Sequence, residues 1–195
     1  MTVSANSADR PRRAVDRIRE TARELFYRRG IRDVGVEEIV TTAGVTKPSL
    51  YRAFASKDEL AAAYIRDYDA DFWQRFEAVT APLAGDPKAQ VIAWLQSIED
   101  RTRVSHYRGC GMTNAAVEYP DRDHPARLAS VANKKEYRRR LRGLAAGLGA
   151  RDPDMLGDAL LLLIEGTYAS AQLFEGDGPA IHLVEAGKAL IAASL

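Results

Sequence analysis

Four prolines between positions 87 and 179 each stand at the head of a stretch in which apolar residues recur every three or four positions. That spacing is the period of an α-helix. Proline is well tolerated at the first helical position, because the N–H group that it lacks would have no partner within the helix there. The four pairs are Asp86-Pro87, His124-Pro125, Asp152-Pro153 and Gly178-Pro179. Each pair therefore predicts the start of a helix.

Glycines mark the predicted ends of other helices. Gly30, Gly44 and Gly149 follow periodic segments, and glycine readily adopts the left-handed conformation in which many helices end. Between these signals the sequence predicts an all-α protein of about nine helices, with no convincing strand. The predicted helices cover roughly residues 12–29, 36–43, 47–54, 57 onward, 87–106, 111–119, 125–148, 153–174 and 179–193.

The charge distribution gives a weak indication of function. The formal net charge is only +1, but residues 1–60 hold 12 Lys/Arg against 9 Asp/Glu, whereas residues 61–195 hold 16 against 18. This basic excess suits an N-terminal phosphate-binding surface. Cys110 is the only cysteine, so a disulfide-built scaffold is excluded. The longest apolar run, 159–164, is too short to span a bilayer, and the polar N-terminal stretch lacks the apolar core of a secretory signal. We therefore predict a cytoplasmic protein without a membrane partner.

The segment VEEIVTTAGVTKPSLYRAFASK, residues 36–57, predicts a helix-turn-helix. Gly44 can take the left-handed conformation that a tight turn requires, and Val45 supplies an apolar side chain that can pack beneath the turn. Thr46 is placed to cap the second helix, and Pro48 falls in the first turn, where a missing donor costs little. The segment is typical of a protein that places its second helix in the major groove of DNA.

The second helix of this motif carries the residue types that read DNA. Leu50 and Phe54 lie four positions apart and point into the core. The other faces carry Lys47, Ser49, Tyr51 and Arg52. Arginine can bond bidentately to guanine, while serine and threonine can bind base edges or phosphates. Lys57 stands where the next helix begins and combines a cation with free backbone N–H groups, so we predict a phosphate contact there.

Residues 14–65 resemble the N-terminal domain of the TetR family of one-component transcriptional regulators. The resemblance is carried by the strings RIRETARELFYRRG and VEEIVTTAGVTKPSLYRAFASKDEL, which hold the first helix, the glycine, the turn and the second helix in register. It implies an N-terminal arm and DNA-binding domain over residues 1–60, and a helical ligand-binding and dimerisation domain over 61–195. It also implies that the DNA-facing residues are Lys47, Pro48, Ser49, Tyr51 and Arg52, with Lys57 on the DNA backbone and Thr46 completing the set.

Two positions depart from the pattern of the family. The residue before Val36 is commonly a capping threonine or serine, whereas Gly35 stands here without a hydroxyl for a phosphate. The position after Arg52 is often histidine, and here it is Ala53. Neither change touches the turn, but each puts one usual backbone contact in doubt.

The last two predicted helices indicate a homodimer. The stretch 153–174 is apolar on more than one face, so it must be covered on both sides. Together with 179–193 it predicts a four-helix interface between two copies, as the resemblance also implies. The alternative is that both helices serve only the core of one chain. A symmetric dimer would present two recognition helices to a pseudo-palindromic site, with half-sites about 34 Å apart or a multiple of it.

The resemblance further implies a small-molecule pocket among the middle helices. The candidates are aromatic or apolar residues with a few polar groups, as is usual in ligand pockets; they are Phe72, Trp73, Phe76, Trp94, Met112, Asn114, Tyr137, Tyr168 and Gln172. The alternative for each aromatic residue is plain core packing. The predicted effector is therefore an apolar or aromatic small molecule. We predict that the protein is a repressor and that binding of this effector releases it from operator DNA.

Other chemistry finds little support in the sequence. His106, His124 and His182 are far apart and have no cysteine or carboxylate at ligand spacing, so we predict no metal and no cofactor. Nothing resembles a nucleophile elbow, a P-loop or a dinucleotide-binding loop, so we predict that the protein is not an enzyme. Two alternatives remain open. One is a regulator switched by the thiol of Cys110, and the other is an enzyme or carrier of the same fold that does not bind DNA.

Overall fold

A computed structural model describes residues 13–174 and 177–195, and over these residues it confirms an all-α architecture of nine α-helices. The helices are α1 (Ala14–Arg29), α2 (Val36–Ala43), α3 (Lys47–Ala53), α4 (Lys57–Thr80), α5 (Pro87–Thr102), α6 (Gly111–Glu118), α7 (Pro125–Gly147), α8 (Pro153–Ser170) and α9 (Leu183–Ser194), with short 3-10 helices at Ala81–Leu83 and Pro179–His182. The predicted N-terminal arm, residues 1–12, lies outside the described residues.

The first three helices form a small unit around a shared core. Ile18, Phe26, Ile39 and Leu50 are buried between α1, α2 and α3. Gly44 ends α2 in the left-handed conformation, with φ 62° and ψ 40°, and this produces the tight turn. The Thr46 hydroxyl then accepts the Ser49 N–H and so caps α3. The sequence predicted each of these features because each depends on neighbours in the chain.

The larger unit is built on α4, which continues from the first unit into the second. Helix α7 packs against α4 on one side and α8 on the other, and α9 packs against α5 and α8. Phe72, Trp94 and Tyr137 bring aromatic rings from α4, α5 and α7 into the centre of this unit. The buried Glu99 carboxylate of α5 accepts the Val184 N–H at 3.2 Å, which satisfies a free donor in the first turn of α9.

Three helix ends differ from the prediction. Helix α5 ends at Thr102 rather than near residue 106. The next two N–H groups, of Arg103 and Val104, donate to carbonyls only three residues back, which forms turns instead of continuing the α-helix. Helix α8 ends at Ser170 rather than near 174 and is followed by hydrogen-bonded turns. The predicted last helix begins as the 3-10 helix Pro179–His182, so the Pro179 start signal opens a tighter turn before α9.

Candidate nucleic-acid interface and effector pocket

Helix α3 presents one face to solvent. Thr46, Lys47, Pro48, Tyr51 and Arg52 are exposed, and 46% of the Tyr51 surface is accessible. Ser49 is partly buried because its side chain lies 2.9 Å from the Thr46 hydroxyl. An exposed helix of this kind can enter the major groove without rearrangement of the core.

The three cationic residues on α3 and at the start of α4 differ in their contacts. Lys47 pairs with Glu37 of α2, with 3.1 Å between Nζ and Oε2. Lys57 is half-buried at the start of α4 and donates to the Arg32 carbonyl at 3.3 Å, and burial lowers its pKa. Within residues 13–174 and 177–195, Arg52 has no ion pair, so its guanidinium is free to bind another group.

The structure places both departures from the family pattern at this surface. Gly35 is the residue before α2 and offers no side-chain cap. Ala53 is exposed at the last position of α3. Neither position can supply a polar side chain to a phosphate.

The C-terminal end of α6 touches the small unit formed by α1, α2 and α3, which is the predicted DNA-binding unit. The Glu118 carboxylate accepts the Arg32 N–H at 2.9 Å, in the loop between α1 and α2. Gly30 has φ 96°, and a Cβ atom there would lie 3.1 Å from Oε1 of Glu118. On the other side, Arg127 of α7 donates to the Tyr119 carbonyl at 2.9 Å. The end of α6 is therefore held between α7 and the loop that precedes α2.

The N-terminal end of α6 touches the same unit through α1. The Tyr27 hydroxyl donates to the Gly109 carbonyl and accepts the Arg108 N–H, each at 3.1 Å. Gly111, the first residue of α6, is so close to α4 that a Cβ atom would lie 2.7 Å from the Tyr64 hydroxyl. Both ends of α6 thus contact the DNA-binding unit or the helix that continues from it.

Five of the predicted ligand residues fill the core instead of lining an open cavity. Phe72, Trp73, Phe76, Trp94 and Tyr137 contact one another with ring centroids 4.9–6.3 Å apart. The Trp94 indole N–H donates to the Tyr137 hydroxyl at 2.5 Å, which gives that buried N–H an acceptor inside the cluster. For these five, the packing supports the alternative of plain core packing, and a role in ligand binding stays a prediction. The physical reason is that α4, α5 and α7 converge closely enough for the rings to interlock.

The other four candidates are scattered. Met112 borders an apolar groove of about 390 Å³ between α6, α7 and α8. Asn114 donates to the Arg108 carbonyl at 2.7 Å and so fastens the loop before α6. Tyr168 is buried in α8, and Gln172 donates to its carbonyl at 3.2 Å. The structure does not bring these four together with the aromatic cluster in one pocket.

A pocket that the sequence did not predict lies between α1, α4 and the loop joining α5 to α6. Its volume is about 540 Å³, it is partly open to solvent, and its walls include Tyr27, Tyr68, Arg75, Arg101 and Tyr107. A volume of this size can hold a small organic ligand. No pattern in the sequence signals this pocket, because its walls come from segments that are distant in the chain and nothing in the sequence distinguishes its arginines from surface arginines.

Cys110 is the residue before α6 and is only 2% exposed. Its sulfur accepts a hydrogen bond from Lys134 at 3.3 Å, and Lys134 is also paired with Glu165 of α8. Thr113 donates to the same Glu165 carboxylate at 2.7 Å. The buried thiol is therefore one member of a polar cluster whose other side chains are partly buried.

The described residues include neither a candidate metal site nor a candidate membrane-spanning helix. In the part of the chain that the structure describes, no group of three or more His, Cys, Asp or Glu side chains is arranged to hold a metal ion. Among the same residues, none of the helices combines the length and the apolar character needed to cross a membrane.

A helix-turn-helix unit joined to a larger helical domain, with a pocket between the two, is typical of one-component DNA-binding regulators, and known proteins agree. The family described as bacterial regulatory proteins, tetR family, matches residues 18–64. The crystal structure of a TetR-family transcriptional regulator from Streptomyces coelicolor is 31% identical, covers 93% of this chain and 95% of that chain, and has a TM-score of 0.88. This chain belongs to the TetR family of transcriptional regulators.

Two curated relatives agree with this assignment. The transcriptional regulator AcuR of Cereibacter sphaeroides is 29% identical over 158 residues, which are 77% of this chain and 72% of AcuR. An HTH-type transcriptional regulator of Mycobacterium tuberculosis is 41% identical over 59 residues. That second match covers 30% of this chain and 29% of the relative.

Proposed function

We propose that this protein is a dimeric repressor that leaves its operator when a small molecule binds beside α6. The observation that carries the proposal is the attachment of both ends of α6 to the DNA-binding unit, through Tyr27 of α1 and through Glu118 at Arg32. A ligand that moves the loop before α6 therefore acts on contacts that orient α1 and the loop before α2. Release requires that the ligand bind the DNA-free arrangement more tightly than the DNA-bound one.

The proposed DNA-binding residues are those on the exposed face of α3 and at the start of α4. They are Thr46, Lys47, Pro48, Ser49, Tyr51, Arg52 and Lys57. The free guanidinium of Arg52 supports a role in reading a base, since arginine binds guanine with two parallel hydrogen bonds. The partly buried Lys57 beside backbone N–H groups supports a role on a phosphate.

The proposed dimer interface is formed by α8 and α9. Met155 and Leu162 are exposed large apolar residues two turns apart on α8. The exposed face of α9 consists largely of alanines, which would let a partner helix approach closely; they are Ala186, Ala189, Ala192 and Ala193. Exposed apolar residues on two helices that pack against each other are typical of an interface between protein chains.

The test begins with selection of duplexes from a random DNA library by the purified protein, followed by fluorescence anisotropy on the enriched sequence and on DNA from upstream of its own gene. We expect one enriched sequence with two related half-sites. Failure to enrich any sequence at low salt would contradict the regulator function and favour a carrier or enzyme of the same fold.

Two variants separate the proposed roles on that enriched duplex. Arg52→Ala should weaken specific binding by about 1–3 kcal/mol and leave binding to a scrambled duplex nearly unchanged. Lys57→Ala should weaken both duplexes alike and flatten the dependence on salt. Arg139→Ala, an exposed arginine of α7, is the control and should leave both affinities unchanged. The opposite pattern for Arg52 and Lys57 would reverse their assigned roles.

A further inference from the structure

The pocket beside α1 contains an excess of positive charge. Four arginines line it against two glutamates: Arg23, Arg28, Arg75 and Arg101 against Glu20 and Glu24. Arg23 is paired with Asp71, and Arg28 lies 3.4 Å from Glu24. For Arg75 and Arg101 the described part of the chain provides no ion pair. Two guanidinium groups in one pocket are thus left for a ligand.

Arg75 is the more constrained of the two. Its Nε atom is buried and has no hydrogen-bond acceptor in the described residues. Burial, and then the positive charge of Arg101, lowers the pKa of Arg75. A buried donor without an acceptor is costly, and it is costlier still when the donor is charged. An anion in the pocket would supply the missing acceptor and offset the repulsion between the two arginines.

Four tyrosines supply much of the remaining wall of the pocket. Tyr27 and Tyr68 are stacked with ring centroids 6.2 Å apart, Tyr64 and Tyr107 lie beside them, and the loop residues Val104, Ser105 and His106 complete the lining. Burial raises the pKa of Tyr64, Tyr68 and Tyr107, so their hydroxyl groups stay protonated. Neutral phenols combine a flat apolar surface with an O–H donor, which suits an aromatic ligand that carries an acceptor group.

We propose that this pocket binds a small aromatic carboxylic acid, with its carboxylate on Arg75 and Arg101 and its ring among Tyr27, Tyr68 and Tyr107. The planar guanidinium group matches a carboxylate with two parallel hydrogen bonds, which favours this anion. The pocket volume of about 540 Å³ accommodates a one-ring or two-ring acid. The inference rests on the proposed function in one respect, since it identifies the acid as the effector.

The position of the ring explains how such a ligand would act. The hydroxyl of Tyr27 holds Gly109 and Arg108, immediately before α6. A ring placed against Tyr27 and Tyr107 therefore lies between α1 and the loop that begins α6. The acid would change the relative position of these two segments, and through them the orientation of the recognition helix.

The first test is isothermal titration calorimetry of the full chain, without DNA. The probes are benzoate, 4-hydroxybenzoate, phenylacetate and cinnamate, each paired with its neutral amide, and phenyl phosphate. We expect at least one carboxylate to bind, and its amide to bind about 10- to 100-fold more weakly because the amide cannot form the charge-assisted bonds. Equal binding of acid and amide, tighter binding of phenyl phosphate, or no binding by all four acids would overturn the proposal.

Matched variants assign the binding to the two arginines. Arg75→Gln and Arg101→Gln should each weaken binding of the acid about tenfold or more, and Arg75→Lys should retain part of it. Arg66→Gln is the control, because Arg66 is an exposed arginine of α4 outside the pocket. Circular dichroism checks that each variant is folded. If Arg75→Gln unfolds, the Arg101→Gln variant still tests the proposal, because Arg101 lies on a different helix. Unchanged binding in both variants would contradict the proposal.

A second measurement separates this inference from the proposed function. The acid that binds is added to the protein on its enriched duplex, and release is followed by fluorescence anisotropy. Release by wild type and none by Arg101→Gln would support both proposals. Binding of the acid without release would uphold the ligand site as a site but overturn its identification as the effector site. Absence of DNA binding would contradict the regulator function while the calorimetry still decides the pocket.

Discussion

At the scale of single residues, the hydrogen bond between Trp94 and Tyr137 shows why the aromatic cluster is core. Both side chains are buried, and the indole N–H of one is the partner of the hydroxyl of the other. We expect Tyr137→Phe to lower the free energy of unfolding by about 1–3 kcal/mol, because the Trp94 N–H is left buried without an acceptor. Urea denaturation measures this loss. Tyr51→Phe, at an exposed tyrosine, should change stability little, and equal effects would argue against the bond.

Gly30 is a second residue whose identity is dictated by its conformation. With φ 96° and ψ 151° it adopts a backbone geometry that is essentially restricted to glycine, and it lies against Glu118. We expect Gly30→Ala to lower the free energy of unfolding by about 1–3 kcal/mol.

Gly143→Ala provides the comparison for this variant, because Gly143 lies within α7 with open space around its Cβ position. Alanine should raise stability there by about 0.5–1 kcal/mol, since glycine weakens helix interiors. Thermal and urea unfolding of both variants would test the pair. Stabilisation by Gly30→Ala would mean that the loop relaxes without strain.

At the scale of helices, α7 and α8 are joined by a shared carboxylate. Arg138 and Arg142 of α7 both bind Asp158 of α8, with Nε to Oδ1 distances of 2.7 and 2.8 Å. The hydrogen bonds from Arg138 and Arg142 hold the pKa of Asp158 well below its usual range. A lowered pKa in the folded state stabilises the fold above the ordinary pKa of 3.8, and this contribution is lost as pH falls below it.

We therefore expect Asp158→Asn to lower the melting temperature at pH 7, and the difference from wild type to narrow as pH falls below about 4. Added salt should also reduce the difference, because these groups are partly exposed. The measurement is thermal unfolding by circular dichroism across a pH series. Asp123→Asn, in the exposed loop before α7, serves as control. A difference that stays constant with pH would show that the carboxylate charge is not responsible.

The same scale shows what the sequence could and could not predict. Starts of helices were predicted well, because the signals are local. The carboxylates of Asp86 and Asp152 accept N–H groups in the first turn of the helix that each precedes, and a proline follows each of them. Ends were predicted less well, since after Thr102 the backbone changes to turns with hydrogen bonds three residues apart, and no residue type in the sequence marks that change. The proposed DNA-binding set on α3 could be read from the sequence, because it comes from one contiguous segment. The pocket does not, because it forms only when Tyr27 and Arg75, 48 positions apart, are brought together by folding.

At the scale of the whole molecule, the exposed apolar face of α8 predicts how two copies associate. Leu162 is 74% exposed in the middle of the helix. We expect Leu162→Glu to yield monomers, because a charge in an apolar interface would be desolvated without a partner. Operator affinity should fall with it, since two half-sites can no longer be bound together. Analytical ultracentrifugation and fluorescence anisotropy measure the two effects.

The control is Leu128→Glu on α7, at a leucine that is 53% exposed. This variant should remain dimeric and bind the operator normally. A dimeric Leu162→Glu variant together with a monomeric Leu128→Glu variant would move the interface to α7.

The pocket draws one wall from α1, and this limits how the protein can be recombined with its relatives. Exchange of residues 1–60 for those of another regulator would bring in a different helix-turn-helix, but it would also replace Arg23 and Tyr27 and so dismantle the proposed ligand site. A graft that begins after Gly30 would keep that wall and exchange only α2 and α3. The boundary for such an exchange therefore lies between α1 and α2, where DNA recognition can change while the proposed ligand site is kept.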